Sequence, residues 1–84
     1  MNKTDSIKRK ILYRSEYRGI KEMDLILGSF VKKYINRLNY EDLLDLYDLL
    51  NIDDDTIFKW YFDLENNKKI KINKVTDLLK KFKI

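Results

Sequence analysis

The 84-residue sequence contains no cysteine, no proline and no histidine, and only two glycines. Alanine and glutamine are missing as well. Each absence removes a class of chemistry. Without Cys there is no disulfide scaffold and no thiolate metal site. Without Cys and His together, the usual zinc sites, Ser-His and Cys-His nucleophiles and imidazole acid–base work are excluded. Two glycines leave no phosphate-cradling loop. No apolar run reaches the roughly 18 residues that a membrane span needs. The stretch from Met1 to Lys10 has neither an apolar core nor a small-residue cleavage site. It reads as neither a signal peptide nor a transit peptide, so a cytoplasmic chain is expected.

What is present is enough for a small core. Apolar residues make up 44% of the chain and aromatics 13%, which argues against disorder. The length suits a single domain over residues 1–84, with only about 60–65% of the unfolded surface buried on folding. Such a chain is expected to be a small module that binds something.

The net charge of +4 averages over opposed segments. Residues 1–18 are basic, through Lys3, Lys8, Arg9, Lys10, Arg14 and Arg18. Residues 41–65 carry nine acids against Lys59 alone, and residues 66–84 carry seven Lys against Asp77. Basic ends can signal nucleic acid, but they can equally solvate helix faces or pack near an acidic middle. Clusters are no denser than Lys8-Arg9-Lys10, so nucleic acid is not the expected partner.

Periodicity divides the chain into five helical segments. The first runs from about Asp5 to Tyr17 behind a Thr4 cap, with Ile7 and Ile11 on one face, and Gly19 ends it in a left-handed turn. The second, Ile20 to about Leu38, has the strongest pattern: Met23, Leu27, Phe30, Tyr34 and Leu38. Leu25 falls on its polar side beside Glu22, and Gly28 sits mid-helix, where a close helix approach is expected. Asn39 caps the third, whose predicted inner face is Tyr40, Leu43, Leu44, Tyr47 and Leu50. An Asp-rich turn leads into a fourth, about Thr56 to Leu64, apolar almost all round and so expected to be central, with Trp60 and Tyr61 in the core. Asn66-Asn67 breaks the chain. Ile70-Lys71-Ile72 alternates like a strand but has no partner strand. The last helix, about residues 73–82, turns Val75, Leu78, Leu79 and Phe82 inward. The expectation is an all-α bundle of about five short helices.

Few side-chain groups suggest chemistry. Asp53-Asp54-Asp55 lacks the alternation, Gly and distal Glu of a calcium loop and reads as a helix cap. Glu41, Asp45 and Asp48 share a helical stripe but no facing carboxylates, so no metal site is expected. Glu22 and Asp24 point different ways on a helix, against paired acid–base work. One cluster stands apart. Arg14, Arg18, Gly19 and Glu22 gather at the junction of the first two segments. Arg18 brings a planar fork of donors, Gly19 permits close backbone approach, and Glu22 suits the first turn of the next helix. They form either a clamp over a tight turn, with Glu22 orienting Arg18, or a group that faces a partner.

The stretch from Ile11 to Phe30 resembles the signature of the succinate dehydrogenase flavinylation factors, also called succinate dehydrogenase assembly factor 2, or SdhE in bacteria. The hallmark Arg-Gly-x-x-Glu is Arg18-Gly19-Ile20-Lys21-Glu22, followed by Met23-Asp24 where Leu-Asp is usual. Leu38-Asn39-Tyr40-Glu41-Asp42, Leu49-Leu50, Asp53-Asp54-Asp55 and Trp60 match downstream features, so the resemblance is strongest over residues 7–64. Tyr17 stands where a basic residue is common, Ile20 where Met is usual, and Asn66-Asn67-Lys68 where the family has a Pro-bearing turn. The resemblance implies a five-helix protein, not itself an enzyme. It would bind the flavoprotein subunit of succinate dehydrogenase, and a fumarate reductase relative, and promote covalent attachment of FAD to a His there. It would hold no FAD stably of its own. The implied partner-binding residues are Arg18, Gly19 and Glu22, with Leu25 and Arg14 beside them. The alternatives are an antitoxin-like role and a nucleic-acid-binding helical module using the basic termini.

Overall fold

A computed structural model describes residues 2–65 and 68–83. Its elements in order are α1 (Lys3–Ser15), α2 (Lys21–Tyr34), α3 (Tyr40–Leu50), α4 (Asp54–Tyr61) and α5 (Lys74–Lys81). No strand occurs among the described residues, and the fold is all-α. The predicted break at Asn66-Asn67 lies outside the described residues. Helix α1 packs against α3 and α2, α3 also meets α5, and α2 meets α4. Among the described residues, no helix is long and apolar enough to cross a membrane.

Caps set most of the helix starts. Asn2, rather than the expected Thr4, accepts from the Asp5 N–H at 2.8 Å, so α1 begins two residues before Asp5. Asn39 accepts from Asp42 N–H at 2.8 Å and Asp53 from Thr56 N–H at 3.0 Å. At α5 the box is reciprocal: Asn73 accepts from Thr76 N–H while Thr76 Oγ accepts from Asn73 N–H, both at 2.9 Å. Each such contact satisfies an amide that the helix itself cannot. Helix α2 stops at Tyr34, short of the expected Leu38. The next residues wind more tightly, with Arg37 N–H donating to Tyr34 at 2.8 Å, and still bury Ile35 and Leu38.

The core gathers around α2. Met23, Leu27, Phe30 and Val31 are fully buried, joined by Ile11 from α1, Ile57 from α4 and Leu79 from α5. The Phe30 ring lies 4.8 Å from Tyr34 and meets Phe82 edge-on at 5.5 Å. Helix α3 is rotated from the expected face: Leu43, Leu46, Leu49 and Leu50 are buried, Leu44 is exposed, and Tyr40 and Tyr47 are half-buried. Packing against both α1 and α5 demands this wider stripe.

Helix α4 is not central. Only Ile57 and Tyr61 are buried on it. Trp60 is half-buried, while Phe62 and Leu64 beyond its end are exposed. Asp63 adopts a left-handed backbone (φ 58°) that ends the helix and turns those side chains outward. Tyr61 keeps its place by donating its hydroxyl to the Phe82 carbonyl, and burial raises its pKa. The strand-like Ile70-Lys71-Ile72 is irregular; Ile70 is buried and Ile72 points wholly into solvent.

Candidate functional site

Three helix ends converge beside the α1–α2 loop, and Arg18 sits between them. The last carbonyls of a helix lack an internal partner and carry the negative end of its dipole. The guanidinium of Arg18 meets two such ends. Its Nη1 donates to the Arg14 carbonyl in the last turn of α1 at 2.8 Å, and to the Leu50 carbonyl at the end of α3 at 2.7 Å. Its Nη2 donates to the Ile52 carbonyl at 3.0 Å. Its Nε donates to Asp54 Oδ1 at 2.6 Å. Asp54 is the first residue of α4, where a carboxylate suits the positive end of the dipole. The two side chains are each only 9% exposed. A planar fork with several fixed donor directions can satisfy this geometry; a Lys point charge cannot.

The second oxygen of Asp54 holds the loop itself, accepting from the Ile20 N–H at 2.9 Å. Asp24, in the first turn of α2, accepts weakly from the Arg18 N–H at 3.4 Å. Of the two open readings, the clamp is realised, but with another carboxylate: Asp54 orients Arg18. The Glu22 side chain makes no hydrogen bond or ion pair among the described residues and stands exposed on the first turn of α2.

Gly19 differs from expectation in a second way. Neither glycine has a positive φ. The left-handed residue of the loop is Tyr17, at φ 57° and 91% exposed. A Cβ built on Gly19 would lie 3.5 Å from Asp54 Oδ2, an ordinary contact. The fold therefore gives Gly19 neither a backbone reason nor a tight steric reason to be glycine. Gly28 backs onto the end of α1, where a Cβ would stand 3.9 Å from the Ser15 carbonyl.

Two shallow grooves flank the loop. One, of about 400 Å³, is lined by Tyr13, Arg14, Glu16, Tyr17, Arg18, Gly19 and Asp54. The other, of about 370 Å³, is lined by Leu12, Ser15, Glu16, Tyr17, Asp24, Leu25, Gly28, Ser29 and Lys32. Tyr17 and Glu16 form the wall between them. Of the five residues singled out in the sequence, Arg14, Arg18 and Gly19 share the first groove, and Leu25 lines the second. Glu22 lines neither. Leu25 is exposed, together with Tyr13, Tyr17 and Leu12, so apolar and aromatic side chains stand among the charged residues of the junction. Tyr17, Tyr13 and Asp54 were missed in the sequence. For the tyrosines the signal was available, since Tyr13 lies off the Ile7–Ile11 stripe; for Asp54 none was, because three adjacent Asp look alike.

Those three acids take separate tasks. Asp53 caps α4, and its bonds from the Thr56 hydroxyl and N–H hold its carboxyl below the usual range. Asp54 pairs with Arg18, and Asp55 reaches Lys59 at 3.1 Å. Among the described residues, no group of three acids converges to hold a metal ion.

Comparison with known proteins places this site in context. The sequence model of a family described as "Flavinator of succinate dehydrogenase" matches residues 9–83. A protein of Arabidopsis thaliana named "Succinate dehydrogenase assembly factor 2, mitochondrial" is 36% identical over 64 residues, covering 76% of this chain and 34% of that protein. A protein of the same name from Dictyostelium discoideum is 38% identical over 60 residues, 71% of this chain and 43% of that protein. One from Schizosaccharomyces japonicus is 41% identical over 54 residues, 64% of this chain and 38% of that protein. The chain thus spans less than half the length of these curated relatives. No solved structure matches it.

Proposed function

The chain belongs to the family of succinate dehydrogenase flavinators, and from that premise we propose that it binds the flavoprotein subunit of succinate dehydrogenase and promotes covalent FAD attachment there. The same reading extends to a fumarate reductase relative. The chain itself supplies no nucleophile and no acid–base pair, and it holds no FAD stably. It acts by favouring the partner conformation in which the flavin and the accepting side chain are aligned, a gain in orientation rather than new chemistry. It does so as a monomer. A cytoplasmic location is part of this proposal; the named relatives are mitochondrial proteins.

The observation that carries the reading is the division of labour within the Arg-Gly-x-x-Glu motif. Arg18 turns its donors inward, whereas Gly19 and Leu25 are exposed in the two grooves that Tyr17 separates and Glu22 is exposed on the first turn of α2, all on the surface around the α1–α2 loop. Gly19 keeps that face low enough for a partner backbone to approach. Glu22, whose side chain has no partner among the described residues, offers an acceptor to a partner donor. Leu25 and Tyr17 add apolar area of the kind that anchors interfaces, and Arg14 stands at the rim. Arg18 contributes by shaping the face.

Co-expression with the flavoprotein subunit, scored by in-gel fluorescence of covalent flavin, tests this. Gly19→Arg and Glu22→Ala should both lower the signal while helical circular dichroism and melting stay near wild type. Undiminished flavinylation in both folded variants would overturn the site assignment.

A further inference from the structure

We propose that Asp54, thirty-four residues after Ile20 in the chain, is the positioning residue for the Arg18–Gly19–Ile20 loop and so for the docking face it carries. The inference rests on the functional reading above and adds a residue to it that lies on a different helix.

The geometry is specific. Asp54 spends its two oxygens on two different parts of the loop: Oδ1 on the Arg18 guanidinium at 2.6 Å and Oδ2 on the Ile20 amide at 2.9 Å. Gly19 lies between these two anchors in the chain, and a Cβ added to it would stand 3.5 Å from the same Oδ2. The loop needs such an anchor, because its own resources are poor. Ile20 is the N-cap of α2 and has no side-chain cap to offer. Tyr17 holds a left-handed backbone that a Tyr adopts unwillingly. Asp24 gives only the 3.4 Å contact to the Arg18 amide. Without Asp54, the Ile20 amide loses its partner and the guanidinium keeps only carbonyls. The three residues ahead of Glu22 would then sample several conformations, and the partner would have to order them on binding.

A role of this kind separates from simple stabilisation. A residue that only stabilises the fold changes the melting temperature but leaves the affinity of the folded molecules untouched. A positioning residue changes that affinity even when every molecule is folded. The test measures binding of Asp54→Ala and Asp54→Asn to the apo flavoprotein subunit by titration calorimetry. The temperature is set well below both variants' melting points, with amide exchange at Ile20 followed in parallel. Asp54→Ala should bind roughly tenfold more weakly, the scale of ordering a short loop at the interface. Asp54→Asn retains one carbonyl oxygen for the Ile20 amide and should lose less. Exchange at Ile20 should quicken in the same order. Wild-type affinity in both folded variants overturns the inference. If Asp54→Ala does not fold, Asp54→Asn alone decides: weaker binding with faster Ile20 exchange supports the inference, and unchanged affinity overturns it. A wild-type chain that fails to bind overturns the docking reading itself, and that outcome is visible before any substitution is made.

Discussion

Two cations tie helix ends together in this molecule, and they do it differently. Arg18 binds the ends of α1 and α3 to the start of α4 from a site almost closed to water. Lys80 of α5 ties down the end of α4 from the surface. It lies 4.5 Å from the centre of the Trp60 ring, donates to the Trp60 carbonyl and pairs with Asp63 at 2.7 Å, but Asp63 is 81% exposed. The first contact combines charge with a fixed fork and four acceptors. The second is a point charge whose carboxylate partner lies in water. Burial makes the first expensive to break and the second cheap, since an exposed pair is screened and a buried one leaves a bare charge behind.

Substitutions at the two corners probe that difference. Arg18→Ala should be the most damaging, at about 3–5 kcal/mol, because it strands Asp54 and removes the donors from three carbonyls. Urea denaturation measures it, and a loss under about 1 kcal/mol would erase the distinction between the corners. Arg18→Lys keeps the charge but not the fork and should lose about 1–3 kcal/mol. If Lys matched Arg, charge alone would be holding the corner. Gly28→Ala should gain up to about 1 kcal/mol from helix propensity. The added methyl has room against Ser15; a destabilised variant would mean the α1–α2 seam is tighter than its 3.9 Å spacing indicates. Lys80→Ala should lose about 0.5–1 kcal/mol, the range of an exposed ion pair with a ring contact. Salt should shrink this loss and leave the Arg18 loss nearly intact.

Acid offers a finer probe of the same corner. The Asp53 carboxyl is lowered in the folded chain by its Thr56 bonds. Its capping contribution is therefore complete above the unfolded-chain pKa and is lost as pH falls through the lower folded value. The stability gap between wild type and Asp53→Ala should narrow over that acidic window. A gap that is constant from neutral pH into acid would show that the cap works without its charge.

Much of this was legible in the sequence, and the errors are informative. Five helical segments, the Asn39 and Asn73 boundaries and the outward Leu25 all follow from periodicity and capping, which are local. The central place expected for α4 does not hold. Apolar content does not amount to burial: an eight-residue helix ended by a left-handed Asp63 cannot turn every apolar side chain inward. The inner face of α3 was misjudged at Leu44 because two neighbours, α1 and α5, set that face and neither is encoded in its spacing. At the site, the sequence singles out Arg18, Gly19, Glu22 and Leu25; the structure sets Arg18 and Gly19 in one groove, Leu25 in the next, and Glu22 in neither. The sequence could not say which of them turns inward.

The sequence by itself determined that this is a small all-helical chain without cysteine or histidine, and it carried the motif that marks the family. Those properties depend on composition, on spacing along one helix and on short patterns. Only the tertiary structure decided that Arg18 reaches Asp54 and not Glu22, four residues away. A helix fixes the direction of neighbours within a turn or two. The choice among nine acids in residues 41–65 was made by where the ends of α1, α3 and α4 meet, with a buried guanidinium requiring one carboxylate at that point.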